Sequence, residues 1–242
     1  MLRSPRLSTV AVSQLAHDMI SAIIFDLDGT LIDTERPTQR AWQAAMSEFG
    51  LSMPDSMYAL SIGRTAPDTF RIWREMVDDD VPFEQIRLRA VALVDEERTR
   101  QGIRVFPGVV ESLMFVTNAR LSCALATSTF RAGAEKKLHH AGLRNYFSVV
   151  VCGDDVSASK PAPDIYLETA RRLGLAPALC VAVEDSENGV RSAHSAGMPV
   201  VLVPDLVAPS PEVRAMADVV LGSLGELPGW LRNGDRRGEG EQ

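Results

Sequence analysis

Asp26 and Asp28 stand two residues apart, directly after a short apolar run, Ala22–Phe25 (AIIF). Residues i and i+2 of an extended segment project to the same side, so the two carboxylates share one patch. Carboxylates this close repel, and either one is protonated or a cation lies between them. Glu184 and Asp185 follow a second apolar run, Cys180–Val183 (CVAV), and Thr127-Ser128-Thr129 follows a third, Ser122–Ala126 (SCALA). A short loop after Ser148–Val151 (SVVV) leads to Ser159-Lys160-Pro161. If these runs are neighbouring strands, four acids, one lysine and several hydroxyls meet at one edge. Hard oxygen donors without a His or Cys cluster favour Mg²⁺. A calcium-binding EF loop does not fit: it needs D-x-[DN]-x-[DN]-G between helices, whereas Gly29 follows Asp28 at once and a strand precedes.

A cation beside paired acids, a lysine and backbone donors suits phosphoryl transfer, where charge stabilisation dominates catalysis. In such a site Asp26 is the nucleophile, forming an aspartyl-phosphate. Asp28 gives a proton to the leaving alcohol and later takes one from the incoming water. Thr127 and the backbone N–H of Ser128 hold a phosphoryl oxygen, and Lys160 neutralises the nucleophile and the transferring group. Lysine usage supports the last role. Only Lys136, Lys137 and Lys160 occur among 25 basic residues, so a lysine at 160 implies a need for a compact point charge. Lys136 and Lys137 read as plain surface residues.

The elements that would position these groups alternate along the chain. Val200–Val203 and Val219–Leu221 complete a set of six short runs, apolar on both faces and far apart in sequence, as buried parallel strands should be. Helical stretches fill the gaps at about Val109–Ala119, Gly133–Gly142, Asp164–Gly174 and Glu187–Gly197, each of the last three closing on a glycine suited to a C-cap. This alternation implies right-handed crossovers and a Rossmann-like, doubly wound parallel α/β sheet, whose ligands bind at the carboxyl ends of the strands.

From about Arg36 to Arg104 no strand pattern is present. Trp42, Ala45, Met46 and Phe49 recur at helical spacing before Gly50, and Phe83–Gln101 reads as a long helix with Ile86, Val91, Leu93 and Val94 among charges. Pro107-Gly108 marks the return to the α/β part. Residues 36–104 are therefore expected to form an all-helical subdomain inserted into a core made of 21–35 and 105–232. Trp42 and Trp73 are expected in its interior, with hinges near Arg36 and Val105. Gly63-Arg64-Thr65 is its candidate substrate-facing loop, a plain interhelical turn being the alternative. Asn188 is a candidate substrate contact or a helix-surface amide. Ser186 and Asp164 are expected as N-caps, Asp154 and Asp155 as loop acids that could brace the lysine loop, and the four histidines as surface residues.

The chain has 242 residues, 25 basic and 32 acidic, a formal net charge of −7. That balance argues against a nucleic-acid or anionic-membrane surface, which needs a concentrated basic face. No apolar stretch approaches the ~20 residues of a membrane span. Cys123, Cys152 and Cys180 lie in apolar runs without a Cys-x-x-Cys pair, which reads as buried reduced thiols in a cytoplasmic protein. Residues 1–20 read as an extension outside the fold, with an organelle leader or a start at Met19 as alternatives. Residues 233–242 have no apolar side chain and read as a solvated tail, with Trp230 pinning the last turn. A monomer or weak homodimer acting on a small phosphorylated metabolite is the expected state.

Four segments, Asp26–Glu35 (DLDGTLIDTE), Leu125–Thr129 (LATST), Ser159–Pro163 (SKPAP) and Val183–Gly189 (VEDSENG), resemble in order and spacing the motifs of the haloacid dehalogenase superfamily. The resemblance runs from about Ser21 to Leu227 and is to the branch with a small helical cap after the first strand. It implies a Mg²⁺-dependent aspartyl-phosphate mechanism. The metal ligands it implies are the Asp26 carboxylate, the Asp28 carbonyl, Asp185 and, through water, Glu184. Within the family, dehalogenase chemistry goes with loss of the second aspartate, and Asp28 is present. Phosphonate hydrolysis needs a cap lysine, and residues 36–104 have none. The β-phosphoglucomutase type carries a histidine where Thr38 stands, together with a cap lysine and a cap arginine, for which only Arg64 is available. Asp33-Thr34-Glu35 is closer to the sugar-phosphate and phosphoglycolate phosphatases, so a phosphatase is expected. The mutase and a non-catalytic phospho-ligand-binding homologue are the alternatives.

Overall fold

β1 (Ala22–Phe25) is buried along its whole length and lies between two parallel partners, β4 (Ser122–Ala126) and β6 (Cys180–Glu184). β5 (Val149–Val151) pairs outside β4, while β7 (Val200–Leu202) and then β8 (Val219–Val220) extend the other side. The order β5-β4-β1-β6-β7-β8 is that of a doubly wound sheet, with the strand sequence reversing at β1. This is the structure of residues 20–233, a computed structural model. The readings of residues 1–19 and of the tail beyond Asn233, and His17 with them, lie outside the described residues.

Period-two alternation divides the core into two layers. Ile23, Phe25, Cys123, Leu125, Val181 and Val183 pack with α5 (Val109–Asn118), α6 (Arg131–His140) and α10 (Leu227–Asn233) on one face. Ala22, Ile24, Ala124, Ala126 and Ala182 meet α7 (Asp164–Leu173), α8 (Glu187–Ser195) and α9 (Pro211–Met216) on the other. The runs are apolar on both faces because helices cover both. Cys123, Cys152 and Cys180 are buried and free, with burial raising each thiol above its ordinary value. No helix among the described residues is long and apolar enough to cross a membrane.

Between β1 and β4 the chain forms α1 (Glu35–Glu48), α2 (Asp55–Ala59), α3 (Ala66–Glu75) and α4 (Phe83–Gln101). Their own core gathers Trp42, Met46, Tyr58, Trp73, Phe83 and Ile86, with the Trp42 and Trp73 rings 4.6 Å apart edge to face. Phe49 and Val91 depart from expectation. Phe49 lies beyond the end of α1 and is exposed, and Val91 is left exposed while Ala90 and Val94 are buried. The helices are set off by a two-stranded antiparallel ribbon, β2 (Ile32–Asp33) with β3 (Arg104–Val105), in register Ile32↔Val105 and Asp33↔Arg104. Two residues per strand are too few to show a periodicity. Asp164 is also corrected: Pro163 holds the N-cap position and Asp164 is the first helical residue, where its charge suits the helix dipole.

Candidate active site

The carboxyl ends of β1, β4 and β6 bring the expected residues into one cluster. Lys160 is 2% exposed, a costly place for an ammonium unless it is fully paired. Its Nζ donates to Asp26 Oδ1 at 2.6 Å, Glu184 Oε1 at 2.6 Å and the Ala126 carbonyl at 3.0 Å, so every proton has an acceptor. Tyr166 Oη also donates to Glu184 Oε1, at 2.6 Å, and Ser186 Oγ to Glu184 Oε2 at 3.3 Å. Glu184 is fully buried beneath α8, where a Cβ on Gly189 would stand 1.9 Å from its carboxyl carbon, so only glycine fits there. Ser186 caps α8 through Gly189 N.

Asp26, Glu184 and Asp185 each place one carboxylate oxygen within 4.8 Å of the others. Thr30 Oγ1 donates to Asp185 Oδ1 at 2.9 Å. Gly29 turns the chain at φ 86°, and a Cβ there would lie 2.3 Å from Asp185 Oδ2, so the loop after β1 is pressed onto this acid. Burial raises the Asp26 carboxyl above the carboxylate range; Lys160 opposes this, and Glu184 and Asp28 add to it. Asp185 is raised well above that range by burial, then by Asp26 and Glu184. Burial alone would lower Lys160, but the two carboxylates on it outweigh that and hold it above its ordinary value. One ammonium cannot balance three buried acids that ionise together, which is why Asp26 and Asp185 are raised, and the donors are all oxygen. That is the setting a Mg²⁺ ion fits.

Asp28 is held by a different set of partners. Its Oδ1 accepts from Thr34 Oγ1 at 2.5 Å and Lys137 Nζ at 2.6 Å, and its Oδ2 from Thr129 Oγ1 at 2.6 Å. Burial would raise this carboxyl, yet Lys137 and the three hydrogen bonds hold it below its usual value. Lys137 is therefore not a plain surface residue: its side chain is 15% exposed, against 62% for Lys136. The two lysines are neighbours in sequence, but only Lys137 lies three residues from buried Ala134, on the inner side of α6.

A cavity of about 400 Å³ opens over Asp26 and Asp28, walled by Glu35, Trp42, Tyr58 and Phe70 of the inserted helices and by Phe130 of the core. Thr127, Ser128, Gly63, Arg64 and Lys137 also line it. Thr127 Oγ1 accepts from Thr129 N at 3.1 Å. The Gly63 carbonyl accepts from Ser128 Oγ at 3.3 Å, and Arg64 Nε donates to the Leu60 carbonyl at 2.9 Å. Asn188 Nδ2 donates to the Ile62 carbonyl at 3.1 Å and ties α8 to the inserted loop. Ser159 Oγ makes a second tie, to Asp68 Oδ2 at 3.0 Å. Asp154 and Asp155 brace α6 rather than the lysine loop, through Arg131 N and the Arg131 guanidinium. His139, His140 and His194 are exposed.

Glu35 is the acid whose role sequence reasoning missed, although it closes the first motif. Tyr58 Oη donates to its Oε2 at 2.8 Å and to its carbonyl at 3.0 Å. Burial, then the nearby Asp28, push its carboxyl up to about 7 from an ordinary 4.5. A raised value means the folded state binds this proton more tightly, so the contribution to stability is present at low pH and lost as pH rises between those values. Glu35→Gln should remove on the order of 2 kcal/mol of that pH dependence, after allowance for partial exposure. Urea unfolding at pH 5 and pH 7.5 checks it, and parallel trends for wild type and variant would refute it.

The model for haloacid dehalogenase-like hydrolases matches residues 23–203. The chain is 35% identical to the phosphorylated carbohydrates phosphatase of Thermotoga maritima over 74% of its own length and 82% of that protein. It is 35% identical to the fructose-1-phosphate phosphatase of Escherichia coli over 75% and 95% of the two chains. Among solved structures, CbbY from Rhodobacter sphaeroides in complex with phosphate superimposes with a TM-score of 0.73 at 28% identity, covering 86% of this chain and 96% of that one.

Proposed function

Because the chain belongs to the haloacid dehalogenase-like hydrolases, as a phosphomonoesterase of that family, we propose that it hydrolyses a small sugar or polyol phosphate, or a phosphoglycolate-type ester, through an aspartyl-phosphate on Asp26. The observation that carries this reading is the division of the two aspartates. Asp26 sits on Lys160 beside two further acids, and Asp28 is hydrogen-bonded apart from them on the cavity side.

A carboxylate oxygen of Asp26 attacks phosphorus as the ester P–O bond breaks, and Asp28 protonates the departing alcohol oxygen. Water then attacks the aspartyl-phosphate and yields its proton to Asp28, releasing inorganic phosphate and restoring Asp26. Lys160 balances charge on Asp26 in both steps, and Thr127 with the Ser128 N–H receives the phosphoryl oxygens. Mg²⁺ would be held by the Asp26 and Asp185 carboxylates and the Asp28 carbonyl, with Glu184 as an indirect ligand, and when bound supplies charge neutralisation for the phosphoryl group. The inserted helices 36–104 cover the leaving group and choose it, opening and closing at the ribbon of Ile32–Asp33 and Arg104–Val105.

The phosphatase is favoured over a phosphosugar mutase by Thr38, whose hydroxyl bonds the Thr34 carbonyl at 2.7 Å where a mutase has histidine, and by the lack of lysine in residues 36–104. The test is phosphate release, with Mg²⁺, from a panel of sugar phosphates, polyol phosphates and phosphoglycolate. Interconversion of hexose 1- and 6-phosphates with a bisphosphate primer and no phosphate release would replace the phosphatase by the mutase. Turnover of no ester at all would leave the binding homologue. Metal binding has its own readout. Saturating Mg²⁺ should stabilise the wild type by about 2–3 kcal/mol at a hundredfold excess over Kd, and Asp185→Asn should lose most of that gain. An equal gain in the variant would remove Asp185 from the ligand set.

A further inference from the structure

The two aspartates of the site each have an ammonium of their own. Lys160 serves Asp26 from the loop after β5, and Lys137 serves Asp28 from α6. The second pair is made by a residue outside the four motifs. Asp28 has two other donors, and both are neutral hydroxyls. Thr34 is the residue at the N-terminal boundary of α1, where the helical insertion begins, so its hydroxyl follows any movement of those helices. Thr129 is itself tied to Lys137, whose Nζ donates to its Oγ1 at 3.1 Å. Among the described residues Lys137 alone reaches Asp28 from a core helix, one anchored on the sheet by Ala134 and Leu138.

We propose that Lys137 is a positioning residue: its ammonium, gripping both Asp28 Oδ1 and Thr129 Oγ1, holds the Asp28 carboxyl on the leaving-group side of the site whatever the stance of the inserted helices. The assignment rests on the reading of Asp28 as the acid and base of the hydrolysis. Lys137 moves no proton in this role and makes no bond to phosphorus; its charge favours the ionised form of Asp28, so what it contributes to the acid step is placement of the carboxyl alone. It keeps Asp28 from turning toward Asp26, where the two carboxylates would repel and no leaving oxygen would be in reach. An ammonium is suited to this because its three donors need no fixed plane, so one group can serve a carboxylate and a hydroxyl at once.

The test compares Lys137→Met with Lys137→Arg on two esters, fructose 1-phosphate and 4-nitrophenyl phosphate. It uses kcat/KM, which covers the steps up to departure of the alcohol. The alkoxide of the sugar needs a proton as it leaves, whereas 4-nitrophenolate leaves without one. Lys137→Met should lower kcat/KM for fructose 1-phosphate by about 30-fold or more, a good part of a general-acid contribution, and change 4-nitrophenyl phosphate by less than about threefold. Lys137→Arg, which keeps the charge but presents its donors in a fixed plane, should recover only part of the loss. A crystal structure of Lys137→Met should show the Asp28 carboxyl turned away from Thr34 and Thr129. Equal losses on both esters, or a rise in KM alone, would overturn the assignment in favour of a structural role or a direct substrate contact. An unmoved Asp28 in the variant crystal would overturn it whether or not either ester is turned over. Absence of turnover in the wild type would count against the hydrolase reading alone.

Discussion

Asp26→Asn should abolish turnover, lowering kcat by at least about 10⁴-fold, because the amide has the shape of the carboxylate but not its nucleophilic charge. The substitution should not unfold the protein. Asp26 is one of three acids with oxygens within 4.8 Å of one another, and burial already raises its carboxyl above the usual range. Removing its charge relieves repulsion with Glu184 and Asp185, while Lys160 keeps Glu184 and the Ala126 carbonyl as acceptors. The thermal midpoint should therefore stay within a few degrees of the wild type. Intact-protein mass spectrometry after rapid quench should find a phosphoryl adduct on the wild type and none on the variant. Residual activity within tenfold of the wild type would rule out Asp26 as the nucleophile.

Lys160→Met should damage stability and activity together. Methionine fills much the same volume but leaves Asp26 and Glu184 buried without their cation, a change that typically costs about 3–5 kcal/mol. The sign of the pH dependence separates this from simple loss of packing. Acids whose values are raised in the folded state contribute stability at low pH and lose it as pH rises from their ordinary value toward the raised one. The raised Asp26 and Asp185 carboxyls are both of this kind, and loss of Lys160 raises Asp26 further. The variant should accordingly be closest to the wild type near pH 5 and furthest from it above neutrality. Mg²⁺ should recover part of the stability but not the activity, since the variant lacks the ammonium at Asp26 and kcat falls by about 10³-fold or more. A destabilisation independent of pH would show that the charge cluster is not what Lys160 holds together.

The strand ends were legible because parallel strands in the centre of a sheet are apolar on both faces, so the first polar residues after each run mark the ligand edge. That reasoning located Asp26, Asp28, Thr127, Lys160, Glu184 and Asp185 in one place, and the register Phe25↔Leu125 and Phe25↔Val183 is the geometric reason they meet. Lys137 escaped it. A lysine beside another lysine on an amphipathic helix has the pattern of a solvated face, and only the packing of α6 against the loop after β4 turns one of the two inward. Glu35 escaped for a similar reason, since its value depends on Tyr58, 23 residues away on a short helix with no pattern of its own. Asn188 carried an amide signal that could not distinguish a bond to substrate from one to the Ile62 carbonyl.

The strand set, the helical insertion and the acid-lysine cluster are readable along the chain, because they follow from periodicity and from the few residue types that phosphoryl chemistry can use. How charge is shared within the cluster is set only by packing in three dimensions. The pairings of Lys160 with Asp26 and Glu184, and of Lys137 with Asp28, join residues 24 to 134 positions apart, and no local pattern encodes such a distance. Packing also builds the wall of the cavity over Asp26 and Asp28, which is assembled from separate helices and exists only once they pack over the sheet.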